Sequence, residues 1–356
     1  MQVACSTAAF VGPLPAGPLH VPTEVTSVAE LAPFAHRGQS TAVLESARLF
    51  FEGGGRHAVI VRTESADLDD LCGREHYREG VWALSNSDVN LLSIPDTRTM
   101  ELPQADAVIR SAIEIADRLD ALYLLDPPQV LGSNARDLDD WLPVTERAAA
   151  YLPYLKRRSR PTLRRDHLAL SGPVAAIIAR TESEQGVWKS PSGAVSELQP
   201  KEWHVAREFE GSERTQMRRI GINLVRSGEA PIVLGSRTLM ARGALNDEEK
   251  YISVMRTASM LRRSIQHGIE WAMLEPNEPA MWSQIRQQVA DFMYRMWEQG
   301  AFAGSTPTTA YFVQCDESTM SVPPGGVPKI LVGFAPIEPG RFIPVEVSFP
   351  TPRWFI

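Results

Sequence analysis

Residues 89–128 read VNLLSIPDTRTMELPQADAVIRSAIEIADRLDALYLLDPP, and the fold turns on how this stretch divides. VNLLSIP (89–95) and ALYLLDPP (121–128) are short apolar runs without the polar alternation of a half-exposed strand, which is the pattern of strands covered on both faces. Between them, ADAVIRSAIEIADRLD (105–120) carries its apolar residues at helical period. Pro127 and Pro128 end the second run, because proline has no N–H to give to a sheet. A strand, a helix and a second buried strand make a right-handed crossover between parallel strands.

The same alternation extends outward. RHAVIVRT (56–63) is another buried strand, and STAAFVG (6–12) is a strand running into the rigid turn GPLPAGP. TSVAELAPF and STAVLESARLFFEGGG read as helices, the second stopped by its three glycines. Downstream, DLDDWLPVTERA and AYLPYLKRR repeat the unit less cleanly, and GPVAAIIARTESEQG is a further helix. Residues 1–248 are therefore predicted to form a doubly wound α/β structure around a mostly parallel sheet.

From 249 to 356 the texture changes. Tyr251, Val254, Ala258, Leu261 and Ile265 mark one stripe of a long helix, with Arg256, Arg262 and Arg263 off it. Asn277 and Pro279 open a second helix whose stripe is Trp282, Ile285, Val289, Phe292 and Met296. TAYFVQCD, KILVGFAPI and RFIPVEVSF then read as three strands, giving a separate α+β domain.

Composition narrows the function classes. A chain of 356 residues with 44% hydrophobic content has enough apolar material for a sizeable core. Its net charge of −7 argues against a general nucleic-acid binder, which needs a basic surface to neutralise phosphates. Cys5, Cys72 and Cys315 are far apart and contain no CxxC pair, so neither a disulfide framework nor a zinc site is expected. No apolar run reaches the roughly 18 residues of a membrane span, and the start lacks the form of a signal peptide. Folding in the cytosol is the expectation.

Open α/β sheets bind ligands at the carboxyl ends of their strands, where this sequence places Asp96 and Asp126. Aspartates there also cap the following helix or turn. The seven histidines (His20, His36, His57, His76, His167, His204 and His267) form no HExxH and no close pair, and no serine lies in a GxSxG elbow. GVWKSPSG (186–193) resembles a phosphate-binding loop only superficially. Pro191 removes a backbone donor, and Gly193 follows the lysine instead of preceding it. No catalytic, cofactor-binding or metal-binding set is expected. Trp282, Met293, Met296 and Trp297 read as core residues of their helix. The alternative from another class is an α/β hydrolase-like enzyme with its site at Asp96 and Asp126.

The segments TAAFVG…AGPLHVPTEVTSVAEL, LFFEGGGRHAVIVR, SDVNLLSIPD, GPVAAIIARTESEQGVWKSPSG, INLVRSGEAPIVLGSRTL, KYISVMRTASMLRRSIQHGIEWAMLEPN, MWSQIRQQVADFMYRMWEQGAFAG, AYFVQCDESTM and VGFAPIEPGRFIPV follow one another in the order of a known family. Across nearly the whole chain the sequence resembles the contractile tail sheath proteins of phages, tailocins and related injection systems. The resemblance implies a subtilisin-like α/β domain without the protease's catalytic residues, followed by a C-terminal domain that carries subunit contacts. It implies a homopolymer of stacked rings or a helix around an inner tail tube, ending on baseplate and on terminator or cap proteins, with no cofactor. Gly186 and Gly193 would shape a turn while Trp188 packs.

In such a sheath each copy is linked to its neighbours by extended terminal strands added to a neighbouring sheet. RFIPVEVSFPTPRWFI makes Phe342, Val345, Val347, Trp354, Phe355 and Ile356 the candidate arm residues. Family members usually carry an arm before the TAAFVG strand, and here the chain starts five residues before Ser6. Three readings fit that departure: a truncated start, a specialised paralogue, or linkage by the C-terminal arm alone. Arg256, Arg262 and Arg263 are the candidate contacts to an acidic tube surface.

Overall fold

A computed structural model describes the chain except for residues 1, 37–38, 75–77, 133, 158–166, 194–195, 200–202, 243–249, 275–277, 320–328, 338–342 and 349–356. The chain divides into two compact units, Cys5–Ser253 and Val254–Ile356 together with Met1–Ala4. The boundary expected at 248/249 lies a few residues earlier. The first residues join the smaller unit, where the Val3 amide donates to Ser264 Oγ at 3.1 Å.

The larger unit contains strands β1 (Ala8–Pro13), β2 (Thr23–Val25), β3 (Ala58–Thr63), β4 (Leu91–Ser93), β5 (Leu122–Leu125), β6 (Ala148–Leu152), β7 (Leu155–Arg157), β8 (Trp203–Val205), β9 (Asn223–Arg226) and β10 (Ile232–Val233). Eight of them form one sheet in the order β10-β9-β6-β5-β4-β1-β3-β2, while β7 and β8 pair by themselves. From β9 to β3 the pairings are parallel. Only the short edge strands β2 and β10 run antiparallel. The expected mixed α/β architecture with a mostly parallel central sheet is thus present.

The helices of this unit are α1 (Ala42–Glu52), α2 (Leu68–Cys72), α3 (Leu102–Arg118), α4 (Ala135–Trp141), α5 (Ser171–Gln185) and α6 (Gly211–Arg219). Side chains alternate across a strand, so each strand serves two cores. Ala9, Val11, Val59, Val61, Leu92, Ile94, Tyr123 and Leu125 share one core with Val108, Ile109, Ala112 and Ile115 of α3. On the other parity Phe10 meets Phe50 of α1, with ring centroids 5.7 Å apart. That second face is where α1 and α5 pack on each other and on the sheet.

TSVAELAPF forms a 3-10 helix, Val28–Phe34, where an α-helix was expected. Pro33 inside it removes the N–H that an α-helical turn would use. α5 is buried around its whole circumference from Ser171 to Ala179, because it is enclosed between α1 and the sheet. Gly172 permits that approach: a Cβ there would lie 2.3 Å from the Ser46 carbonyl oxygen. Gly186 ends the helix at φ +98, a region other residues rarely adopt, and its N–H caps the Glu182 carbonyl. The Trp188 ring lies over Gly186, where a Cβ would be 2.4 Å away, so GVWKSPSG is a structural turn. Arg147, only 11% exposed, ties the start of β6 to the end of α3 through Asp120 at 2.6 Å and Asp117 at 3.0 Å.

The smaller unit comprises helices α7 (Ile252–Gly268, whose first two residues belong to the larger unit), α8 (Pro279–Glu298) and α9 (Pro307–Ala310), with strands β11 (Tyr311–Gln314), β12 (Lys329–Phe334) and β13 (Ile343–Ser348). The strands form an antiparallel sheet in the order β11-β12-β13. α8 buries Met281, Ile285, Val289, Phe292, Met293 and Met296. The expected stripe is shifted by one residue at its start, with Met281 inward and Trp282 on the flank. α7 departs further from its expected amphipathic form: Ile252 to Thr257 are all buried.

Candidate functional site

The strand ends of the larger unit hold the polar residues that a catalytic reading requires. β4 runs into a 3-10 turn, Pro95–Thr99, and β5 runs into Asp126, Pro127 and Pro128. Thr97 Oγ1 joins the two ends by donating to the carbonyls of Ile94 at 2.9 Å and Asp126 at 3.1 Å. Asp126 falls on the strand parity that faces α5. Its Oδ1 accepts the amides of Leu170 at 2.8 Å and Ser171 at 3.2 Å, capping the first turn of α5 from a neighbouring element. The Ser171 and Ser93 hydroxyls bond each other at 2.7 Å, and Tyr154 Oη donates to the Pro127 carbonyl.

This cluster is closed. Asp126 is 1% exposed. Burial pushes its carboxyl up to about 6, against the opposing pull of the Ser171 hydroxyl, the two α5 amides and Arg98. Burial also raises Asp96 to about 6, with Arg98 lowering it and the Asp126 charge raising it. The Tyr123 and Tyr154 hydroxyls are raised for the same first reason, loss of solvent. A hydrolase needs a nucleophile activated by a base and open to substrate. Here the buried Ser171 hydroxyl is engaged with Ser93, and Oδ1 of the Asp126 carboxylate holds helix amides. The arrangement braces two strand ends against a helix. His167, the nearest histidine in sequence, stacks its ring on Tyr154 at 6.2 Å.

Sequence reasoning located Asp96 and Asp126 and missed Arg98, Ser93, Ser171 and Tyr154. Two signals were available: the arginine two residues beyond Asp96, and Ser-Gly-Pro opening a helix. A cavity of about 450 Å³ at the amino ends of β1 and β3 is bordered by Thr7, Glu24, His57, Asn86 and Asp88. Among the described residues no group of three or more His, Cys, Asp or Glu is placed to hold a metal. No described helix is long and apolar enough to cross a membrane.

The surface candidates separate. Arg256 is 5% exposed, which corrects its placement on a solvated face. The first two turns of α7 are covered on every side, so a residue off the apolar stripe is still enclosed there. Arg262 and Arg263 are half-buried, one turn further on. Val345 and Val347 are fully buried in β13, paired with Val332 and Ile330 of β12. They are core residues of their own sheet. Phe342, Trp354, Phe355 and Ile356 lie outside the described residues.

That sheet has two outer strands, each paired on one side among the described residues. β13 alternates strictly: Ile343, Val345 and Val347 point inward, and Pro344, Glu346 and Ser348 outward. Lys329 Nζ meets Glu346 at 2.5 Å across the outer face. On β11, Phe312 is 38% exposed and its ring lies over Gly333, its cross-strand partner.

No family model matches the sequence, and no curated protein matches it. Solved structures do match in fold. A chain of the anti-feeding prophage baseplate is 24% identical over 96% of this chain and 92% of its own, with a TM-score of 0.77. A chain of the PVC sheath complex, an extracellular contractile injection system in its contracted state, is 21% identical over 96% and 91%, with a TM-score of 0.75. A sheath tail protein from Listeria innocua is 8% identical over 98% and 96%, with a TM-score of 0.70. From end to end, the chain has the fold of contractile-sheath proteins.

Proposed function

We propose that this chain is a structural subunit of a contractile tail sheath, which polymerises around an inner tail tube and contracts to drive the tube through a target cell envelope. The observation that carries this reading is the whole-length agreement in fold with a chain of a contracted sheath complex, TM-score 0.75 over 96% of the chain. On this reading residues 1–248 are a subtilisin-like sheath domain without catalytic residues, and residues 249–356 an α+β sheath domain. The protein works without enzymatic activity, cofactor or metal. The bracing role of Asp126 supports that part. Its partners are further copies of itself, the inner tube protein, the baseplate, and tail terminator or cap proteins. It is assembled in the producing cell's cytoplasm into a phage tail or phage-tail-like particle, and neither binds nucleic acid nor inserts into membrane.

The outer strands of the smaller unit's sheet suit linkage by strand addition, in which main-chain hydrogen bonds give affinity and alternate side chains give register. With Val345 and Val347 held in β13, the donated arm is the segment 349–356, including Trp354, Phe355 and Ile356. Arg262 and Arg263 are the remaining tube-contact candidates. Contraction follows from near-rigid subunits sliding and rotating between two lattices.

Electron microscopy of the chain co-expressed with a tube protein tests the reading, with sheathed tubes or stacked rings expected. Small globular particles under all assembly conditions, with a hydrolase activity lost in Asp126→Ala, would overturn it. Deleting residues 349–356 is expected to leave a folded, soluble monomer that no longer forms linked sheath. Loss of its cooperative melting would instead assign the segment to its own core.

A further inference from the structure

We infer that the Asp96–Arg98–Asp126 cluster takes up a proton as the solution turns from neutral to mildly acidic, and that this uptake makes the larger unit harder to unfold. The inference stands on charge and geometry, independently of what the protein assembles into. Two carboxyl groups and one guanidinium belong to adjacent strand ends, where Asp126 is 1% exposed and Asp96 and Arg98 are partly buried. Counted over the described residues, the cluster with both carboxyls ionised carries one uncompensated negative charge, and burial makes such a charge costly.

The ionisable groups facing the two carboxyls are few. Arg98 comes from the same turn as Asp96, Tyr123 from β5, and Tyr154 from the segment after β6. Among these described residues Arg98 is the cation, both tyrosines stay neutral, and His167 stacks on Tyr154. α5 and its cap contribute two amides that donate to Oδ1 of Asp126, and the Ser171 hydroxyl favours the same carboxylate. Among the described residues Asp126 Oδ2, Asp96 Oδ2, and Nε and Nη1 of Arg98 are buried without a hydrogen-bond partner. One added proton removes the excess charge and turns one acceptor into a donor in a site short of satisfied pairs. The amide cap on Oδ1 does not have to break for this to happen.

The two carboxyls titrate as a coupled pair, with both pushed up to about 6 by burial. A carboxyl in the unfolded chain titrates near 3.9. Between those values the folded chain binds more protons than the unfolded chain, so the stabilisation is present in mild acid and is lost as pH rises through about 6. Carboxylates held in ion pairs, such as Glu79 beside Arg74, act in the opposite direction. The cluster must therefore be read as a difference between wild type and variants.

The test compares thermal unfolding of the full chain at about pH 7.5 and about pH 5 for wild type, Asp96→Asn, Asp126→Asn and the double variant. Asparagine keeps the acceptor that Leu170 and Ser171 use and removes the titration. Relative to the double variant, acidification is expected to raise the wild-type folding equilibrium constant about tenfold, a shift in melting temperature of roughly 3–5 °C. Infrared difference spectra of the folded wild type are expected to gain a buried carboxylic-acid C=O band over the same interval, reduced in Asp96→Asn. That spectrum serves even if an Asp126 variant does not fold. Identical pH responses in wild type and folded variants, or no such band in wild type, would overturn the inference.

Discussion

The strand ends of the larger unit and the sheet edges of the smaller one deal with exposed polarity in opposite ways. At the ends of β4 and β5, nearly every polar group is turned inward: Asp126 caps α5, Thr97 joins two carbonyls, and Ser93 bonds Ser171. The large sheet's own edges are the two- and three-residue strands β10 and β2. Short edges leave little backbone for another chain to pair with. The smaller unit's outer strand β13 is six residues long, apolar on one face and polar on the other. Internal hydrogen bonds brace the strand ends of the larger unit, whereas a sheet with a long outer strand can accept partners. On the sheath reading proposed above, this division suits a subunit that moves without deforming and stays linked while it moves.

The comparison is easiest to break at Arg256. If its enclosure is as described, Arg256→Glu places the wrong charge in a covered site and is expected to cost about 3–5 kcal/mol in chemical unfolding. Arg262→Glu, one and a half turns along and half-buried, should cost less than about 1 kcal/mol and act on assembly instead. Equal costs for the two reversals would erase the distinction between the first and later turns of α7. A smaller effect sharpens the picture of the larger unit. Gly172→Ala pushes a Cβ to 2.3 Å from the Ser46 carbonyl oxygen, and overpacking of this kind is expected to cost about 1–3 kcal/mol. An unchanged melting temperature would mean that α1 and α5 yield easily. The smallest effect is expected on the outer face of the meander. Lys329 and Glu346 are 40% and 56% exposed, so Lys329→Ala should change stability by less than about 1 kcal/mol, an effect that shrinks with added salt.

Much of this was legible in the sequence. The runs at 56–63, 89–95 and 121–128 became β3, β4 and β5, and the amphipathic pattern at 105–120 became α3, because length, apolarity and period are local properties. Gly186 of GVWKSPSG was expected to shape a turn, and it ends α5 at φ +98, a backbone region that favours glycine. The misreadings have separate causes. A stripe of side chains predicts exposure only when a single face is covered, and α7 is covered all round through its first two turns. Arg256 therefore looked solvent-facing by spacing and is not. RFIPVEVSF was expected as the third strand and Ile343–Ser348 does pair with β12, so Val345 and Val347, offered as arm residues, sit in that sheet's core.

The sequence by itself determined the element types and their alternation, and hence the mostly parallel sheet, since a buried strand and an amphipathic helix are each specified by residues a few positions apart. Tertiary packing set which parity of β5 faces α5, and so placed Asp126 Oδ1 on the amides that open α5. It also set which strands lie at the sheet edges among the described residues. Both depend on contacts between residues far apart in the chain, such as Asp126 with Leu170. Local periodicity does not encode such pairings, because they are selected by the burial and hydrogen-bond balance of the whole layer.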